Sequence, residues 1–172
     1  MAGVLDRSTI TALLQRTPPL VEGLLDPDIQ LQQNGVDLTV RSVAALTSAG
    51  QLGVTNQERL LSETRPLDFD AQGYVQLTSG PYLITLNEIV HLSKDLAAFS
   101  WPRSSLLRSG VTIHSAVWDA GYEGRGQCLL EVLNPLGFRI ARNARVLQIA
   151  FFPLSQAVSE GYKGAYQGQN FS

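Results

Sequence analysis

The amino-acid sequence predicts a mostly β domain, a barrel or a sandwich, and three observations carry that reading. Short runs rich in β-branched and aromatic residues recur: Tyr74-Val-Gln-Leu-Thr78, Tyr82-Leu-Ile-Thr-Leu86, Cys128-Leu-Leu-Glu-Val-Leu133 and Arg145-Val-Leu-Gln-Ile-Ala-Phe-Phe152. Turn signals divide or close them, namely Ser79-Gly80-Pro81, Asn134-Pro-Leu-Gly137 and Pro153. Almost no long helical pattern lies between them, which argues against a sheet wound with helices.

Taken in order, Ser8-Thr-Ile-Thr-Ala-Leu-Leu-Gln15 has apolar residues at helical spacing behind a hydroxyl suited to an N-cap, so a short helix is expected there. Pro18-Pro19 stops it. Asn34-Gly-Val-Asp-Leu38 reads as a tight turn entering a strand, with Asp37 pointing opposite to Val36. Ser93-Lys-Asp-Leu-Ala-Ala98 fits one helical turn. Val111-Thr-Ile-His-Ser-Ala-Val-Trp118 alternates as a strand, with His114 and Ala116 on one side and Ile113, Ser115 and Val117 on the other. Residues 160–172 are glycine-rich and polar, and are expected to form a mobile tail.

The totals bound the function. A chain of 172 residues is one domain with room for a real core. With 44% hydrophobic and 16% charged residues it is a compact globule, and its net charge of −2 argues against a nucleic-acid partner. The single Cys128 excludes an internal disulfide and a multi-cysteine zinc site. Met-Ala-Gly-Val-Leu-Asp-Arg7 lacks the basic head and apolar run of a signal peptide. No window approaches the roughly eighteen unbroken apolar residues of a membrane span, so a cytoplasmic protein without a membrane partner is expected.

Chemistry concentrates in Trp101-Pro-Arg-Ser-Ser-Leu-Leu-Arg108 and in Ala116-Val-Trp-Asp-Ala-Gly-Tyr-Glu-Gly-Arg125. Arg103 and Arg108 flank Ser104 and Ser105, and guanidiniums beside hydroxyls suit phosphate oxygens, although surface ion pairs are the plainer reading. Asp119 is either a turn residue or a carboxylate base held by its apolar flanks. Glu131 sits inside an apolar run, where a charge is costly unless paired or used in catalysis; the alternative is a face open to solvent or a neighbouring subunit. His91 and His114 form no metal spacing with Cys128, and neither a Walker P-loop nor a GxSxG elbow is present.

Several motifs nevertheless fall in one order. Asn34-Gly-Val-Asp-Leu38, Pro102-Arg-Ser-Ser-Leu106, Val117-Trp-Asp-Ala-Gly-Tyr-Glu-Gly124, Asn143-Ala-Arg-Val-Leu-Gln148 and the tail Gly161-Tyr-Lys-Gly-Ala-Tyr-Gln-Gly-Gln169 resemble the motifs of the dUTPase and dCTP deaminase superfamily, in its archaeal-type dUTPase branch above all. The resemblance implies a distorted β-barrel, a homotrimer with active sites shared between neighbours, and a deoxynucleoside triphosphate bound with Mg²⁺. It implies that Asp119 deprotonates the attacking water, that Tyr122 packs on the deoxyribose, and that Ala116 in the same run also binds substrate. Arg103, Ser104 and Ser105 would bind phosphate, Gln148 of the fourth motif would bind substrate, Asp37 would act on Mg²⁺ through water, and Tyr162, Lys163 and Gln169 would belong to the closing tail. The rival within the resemblance is zinc-independent dCTP deamination, alone or with dUTP hydrolysis, with Glu131 activating water beside Ser104 and Arg108. Against it, Gly124-Arg-Gly-Gln127 lengthens the spacing from Asp119 to Glu131, and Ala165 stands where deaminase tails carry a lysine. A nucleotide-binding sensor without chemistry would be expected to lack a catalytic carboxylate, yet both candidates are present.

Overall fold

The computed structural model describes residues 3–171, so Ser172 of the expected tail lies outside the described residues. The first helix, α1 (Arg7–Leu14), buries Ile10 and Leu13. Its cap is Asp6 rather than Ser8: the Asp6 carboxylate accepts from the Thr9 backbone N–H at 2.7 Å, and the Ser8 hydroxyl donates to the same carboxylate at 2.8 Å. A carboxylate takes the cap because it accepts more strongly from the orphan N–H groups than a hydroxyl does. There follow β1 (Val21–Glu22), α2 (Pro27–Gln30), β2 (Leu31–Gln32), β3 (Gly35–Leu46), β4 (Thr64–Leu67), β5 (Tyr74–Leu77), β6 (Gly80–His91), β7 (Leu96–Pro102), α3 (Ser104–Arg108), β8 (Val111–His114), β9 (Glu123–Val132), β10 (Phe138–Ala141) and β11 (Arg145–Pro153).

The main sheet runs β7-β11-β3-β6-β9-β8, every neighbour antiparallel, with β1 added to β6 and with β2 and β4 added to β3. Its two ends nearly meet. Ala98 of β7 and Trp118 exchange both backbone hydrogen bonds at 2.9 and 3.1 Å, and the Ser100 and Ser115 hydroxyls lie 2.7 Å apart. The result is the mostly β, barrel-like architecture expected from the strand pattern. The interior is apolar: Val36, Leu38, Ile84, Leu86, Leu130, Leu147, Ile149 and Phe151 are wholly buried, each contributing roughly 1.5–3 kcal/mol through removal of apolar surface from water. No helix among the described residues is long and apolar enough to cross a membrane.

Local expectations fail where tertiary pairing overrides them. Ser93 to Asp95 make a turn closed by the Ser93 hydroxyl on the Asp95 carboxylate, and Leu96 and Ala98 then alternate inward along β7 to complete the ladder with β11. No helical turn forms there. The alternating strand expected to run to Trp118 leaves its ladder at His114, because the chain must swing across to Ala98 to close the barrel. On β3 the first six residues are all buried, so Asp37 is enclosed together with Val36.

One buried polar cluster braces this region. Glu88 is wholly buried and accepts from the Thr39 N–H at 2.9 Å, the Thr39 hydroxyl at 2.6 Å and the Gln30 amide at 2.7 Å, while the same Gln30 nitrogen also reaches the Asp37 carbonyl at 2.9 Å. Burial raises the Glu88 carboxyl above its ordinary 4.5, the three donors pulling the other way. Between the unfolded and folded values the folded chain therefore holds more protons, so this contribution is complete below 4.5 and is lost as pH rises through the folded value. Denaturant titrations across pH should show the stability of the wild type falling relative to Glu88→Gln as pH rises from 4.5. A wild type that instead gains on Glu88→Gln with rising pH would contradict an upward shift.

Candidate active site

The residues singled out from the sequence gather into two clefts that share no lining residue. The first, about 520 Å³, is lined by Asn34, Asp37, Trp101, Arg103, Ser104 and Gln148 among others. Strand register assembles it: Asp37 of β3 lies opposite Gln148 of β11, which lies opposite Trp101 of β7, so three side chains from distant motifs stand in one row. Asp37 anchors the cationic side. Its Oδ2 sits 3.0 Å from Arg103 Nε and 3.2 Å from an Arg145 terminal nitrogen, and its side chain is only 4% exposed. Burial pushes its carboxyl up and the two guanidiniums oppose that. With one oxygen between two arginines, Asp37 is first a support for Arg103, whose side chain remains a third exposed to the cleft.

The second cleft, also about 520 Å³, contains Ala116, Trp118, Asp119, Tyr122, Gln127, Tyr162, Tyr166 and Gln169. Its floor is aromatic. Tyr122 packs edge-on between Trp118 at 5.5 Å and Tyr162 at 5.7 Å, and burial pushes its hydroxyl up to about 12, so the ring stays neutral. Gly126 is needed for this floor, since a Cβ there would fall 2.2 Å from the Trp118 ring. Asp119 sits exposed on the rim with no hydrogen-bond or ion-pair partner for its carboxylate among the described residues, while its carbonyl holds the turn by accepting from the Tyr122 N–H at 3.0 Å.

Residues 160–171 lie against this cleft. The Tyr162 N–H reaches the Ala120 carbonyl at 2.8 Å, the Gly168 N–H reaches the Glu123 carbonyl at 2.9 Å, and the Gln169 amide donates to Gln127 Oε1 at 3.1 Å. Another part of the lining comes from the last residue of β3, Leu46, the first of β4, Thr64, and Leu61 and Ser62 of the segment between them. Arg59 of that segment stands 5.6 Å from the Tyr166 ring, in cation–π range. Leu61, Ser62, Gln127 and Tyr166 were not anticipated as site residues, and no local sequence signal marks the first two.

Other expected site residues lie elsewhere. Ser105 and Arg108 are exposed on α3 outside both clefts. Lys163 is exposed and paired with Glu160 at 2.9 Å. Glu131 lines neither cleft; on the half-open face of β9 it lies 3.6 Å from His114, with 40% of its side chain exposed. Among the described residues no group of three His, Cys, Asp or Glu side chains could cage a metal.

A dCTP deaminase-like family model matches residues 4–154. The chain is 41% identical to a probable deoxyuridine 5'-triphosphate nucleotidohydrolase of Methanosarcina mazei over 97% of its own length and 98% of the relative's. It is 43% identical, over the same shares, to the protein of that description in Methanococcoides burtonii, and 35% identical to the deoxyuridine 5'-triphosphate nucleotidohydrolase of Methanocaldococcus jannaschii over 81% of this chain and 88% of that one. Among solved structures it is similar in fold to a 2'-deoxycytidine 5'-triphosphate deaminase from Agrobacterium tumefaciens, with a TM-score of 0.65 and 23% identity; the match covers 88% of this chain and 48% of that one.

Proposed function

The chain belongs to the dCTP deaminase-like family, and on that premise we propose that it is a dUTP diphosphatase, releasing dUMP and pyrophosphate. The observation that carries this choice over deamination is the placement of the two carboxylates: Asp119 stands free on the rim of the aromatic cleft, whereas Glu131 lies outside both clefts beside His114. The relatives described as deoxyuridine 5'-triphosphate nucleotidohydrolases point the same way.

In this reading the aromatic cleft takes the deoxynucleoside. Tyr122 packs flat ring surface against the sugar, and the neutral amides of Gln127 and Gln169 offer polar contacts without charge. Asp119 takes a proton from water as the water oxygen bonds to the α-phosphorus, and the bond from that phosphorus to the departing pyrophosphate breaks. Arg103, Ser104 and Gln148 hold phosphate oxygens, Arg103 being kept in place by Asp37. The sparse carboxylates would suit Mg²⁺ carried mainly by the triphosphate and its waters, and Asp37 would be the residue to hold it, through water. When bound, Mg²⁺ would supply neutralisation of the charge developing on the phosphates.

Each chain offers a base-and-sugar cleft and a phosphate cleft that share no lining residue, which supports a site assembled between two copies in a homotrimer. Incubation with dUTP and with dCTP separately, scoring pyrophosphate and ammonia, tests the assignment. Pyrophosphate from dUTP without ammonia from dCTP is expected, and ammonia would restore the deaminase. Glu131→Gln should leave dUTP turnover within about twofold, as expected for an exposed side chain away from the reacting atoms. A hundredfold loss would return Glu131 to the site.

A further inference from the structure

The segment Gly124-Arg125-Gly126, between the Asp119 turn and Glu131, supplies no chemistry to either cleft, yet it holds a buried charge. Arg125 is 9% exposed and has no carboxylate within ion-pair distance among the described residues. Its guanidinium is spent on backbone oxygens instead: Nε donates to the Asn170 carbonyl at 2.8 Å, and a terminal nitrogen reaches the Leu86 carbonyl at 3.5 Å. Its own backbone completes the grip. The Arg125 N–H donates to the Gln169 carbonyl at 2.9 Å, the Arg125 carbonyl accepts from the Asn170 amide at 3.3 Å, and Gly124 pairs with Gln169 as a parallel bridge.

The flanking glycines make this track possible. A Cβ on Gly124 would meet the Tyr122 hydroxyl at 2.7 Å and the Gln169 carbonyl at 3.3 Å, so the tail lies on bare backbone there. Asn170 adopts φ 57°, the left-handed turn that aims its carbonyl at Arg125. Residue by residue, this fixes which tail side chains reach the cleft: with Asn170 clamped, Gln169 falls beside Gln127, and Tyr166 and Tyr162 complete the lining.

We propose that Arg125 is the positioning residue for tail closure: it captures the Asn170 carbonyl and so sets the register in which Tyr162, Tyr166 and Gln169 cover the Asp119 cleft. The inference rests on the dUTP diphosphatase reading for its kinetic consequence but not for its structural one. A buried charged donor on a backbone carbonyl is a strong contact whose loss is felt at least about tenfold.

Hydrogen exchange on the nucleotide-free protein reads the contact directly. In Arg125→Met, which keeps the apolar stem, protection of the Tyr162 and Gly168 amides should fall about tenfold while the β3 and β6 ladders are unchanged, with Arg125→Lys in between. In steady-state turnover of dUTP, KM should rise about tenfold with a smaller change in kcat, as expected when binding closure rather than the chemical step is weakened. In a chain ending at Glu160 the same substitution should raise KM no further; a further rise would mean that Arg125 acts through the barrel, and would overturn the proposal. Should Arg125→Met fail to fold, the reciprocal pair decides. Asn170→Val, which resists the left-handed turn, should loosen the tail, and Asn170→Gly should keep it closed. Unchanged tail protection in Arg125→Met, or equal behaviour of the two Asn170 variants, refutes the role. A wild type that releases no pyrophosphate from dUTP would sink the activity reading and leave the exchange test standing.

Discussion

Asp119→Asn is expected to lower the rate of pyrophosphate release from dUTP by about 10³-fold, within the 10²–10⁴ range of a lost general base, while nucleotide affinity changes by less than about threefold. The structure gives both halves of that expectation. The Asp119 carboxylate is exposed and carries no hydrogen bond or ion pair among the described residues, so the barrel loses nothing when it becomes an amide. The turn it occupies depends on its carbonyl, which Tyr122 uses and the substitution keeps. Shape and polarity at the rim are conserved, and only the capacity to take a proton is removed. Single-turnover pyrophosphate release, beside equilibrium titration with dUTP, separates the two. Activity within tenfold of wild type would make Asp119 a turn residue and nothing more, the plainer of its two readings from sequence.

Those two readings show what the chain discloses locally and what it withholds. Turn residues and short apolar runs predict strands at β5, β9 and β11: burial alternates along β5 and along β9 from Gln127, whereas β11 is a largely continuous buried run closed by Pro153. The same logic leaves Glu131 open between a buried catalytic charge and a face turned to solvent or a neighbouring subunit. It shares a face with Leu129 and Leu133; Leu129 and Glu131 are half-buried and Leu133 is 60% exposed, so within one chain β9 turns an open face to solvent. Whether a face is covered depends on what packs over it, which no local pattern states. Glu88 and Gln30 were invisible for the related reason that their partners lie 49 and 58 residues away, joined only once β3 and β6 pair. Leu61 and Ser62 reach the cleft by the path of the long segment before β4, and no periodicity specifies that path. The ordered motifs contain most of the polar members of the first cleft and the Asp119 and tyrosine members of the second, but motif order carries no information on which members meet within one chain.

That last point yields an expectation of large effect. Arg103→Ala and Asp119→Asn, each nearly inactive alone, should regain activity when the two variants are unfolded and reassembled together. Arg103→Ala removes the guanidinium proposed to hold phosphate; Asp37 keeps Arg145 at 3.2 Å, so its buried charge is not left unpaired and the chain should still fold. If each site takes its aromatic cleft from one copy and its phosphate cleft from the next, an equal mixture contains sites in which both contributions are intact, about a quarter of the total for random closed rings. Activity should therefore climb from roughly a thousandth to roughly a quarter of wild type, a change no rearrangement within one chain produces. If instead both clefts served one nucleotide within the same chain, every site would carry one of the two lesions, and mixing would give only the mean of the separate rates. Sedimentation of the mixture alongside the assay shows whether mixed assemblies formed, so that an absent recovery counts against the shared site and not against the mixing.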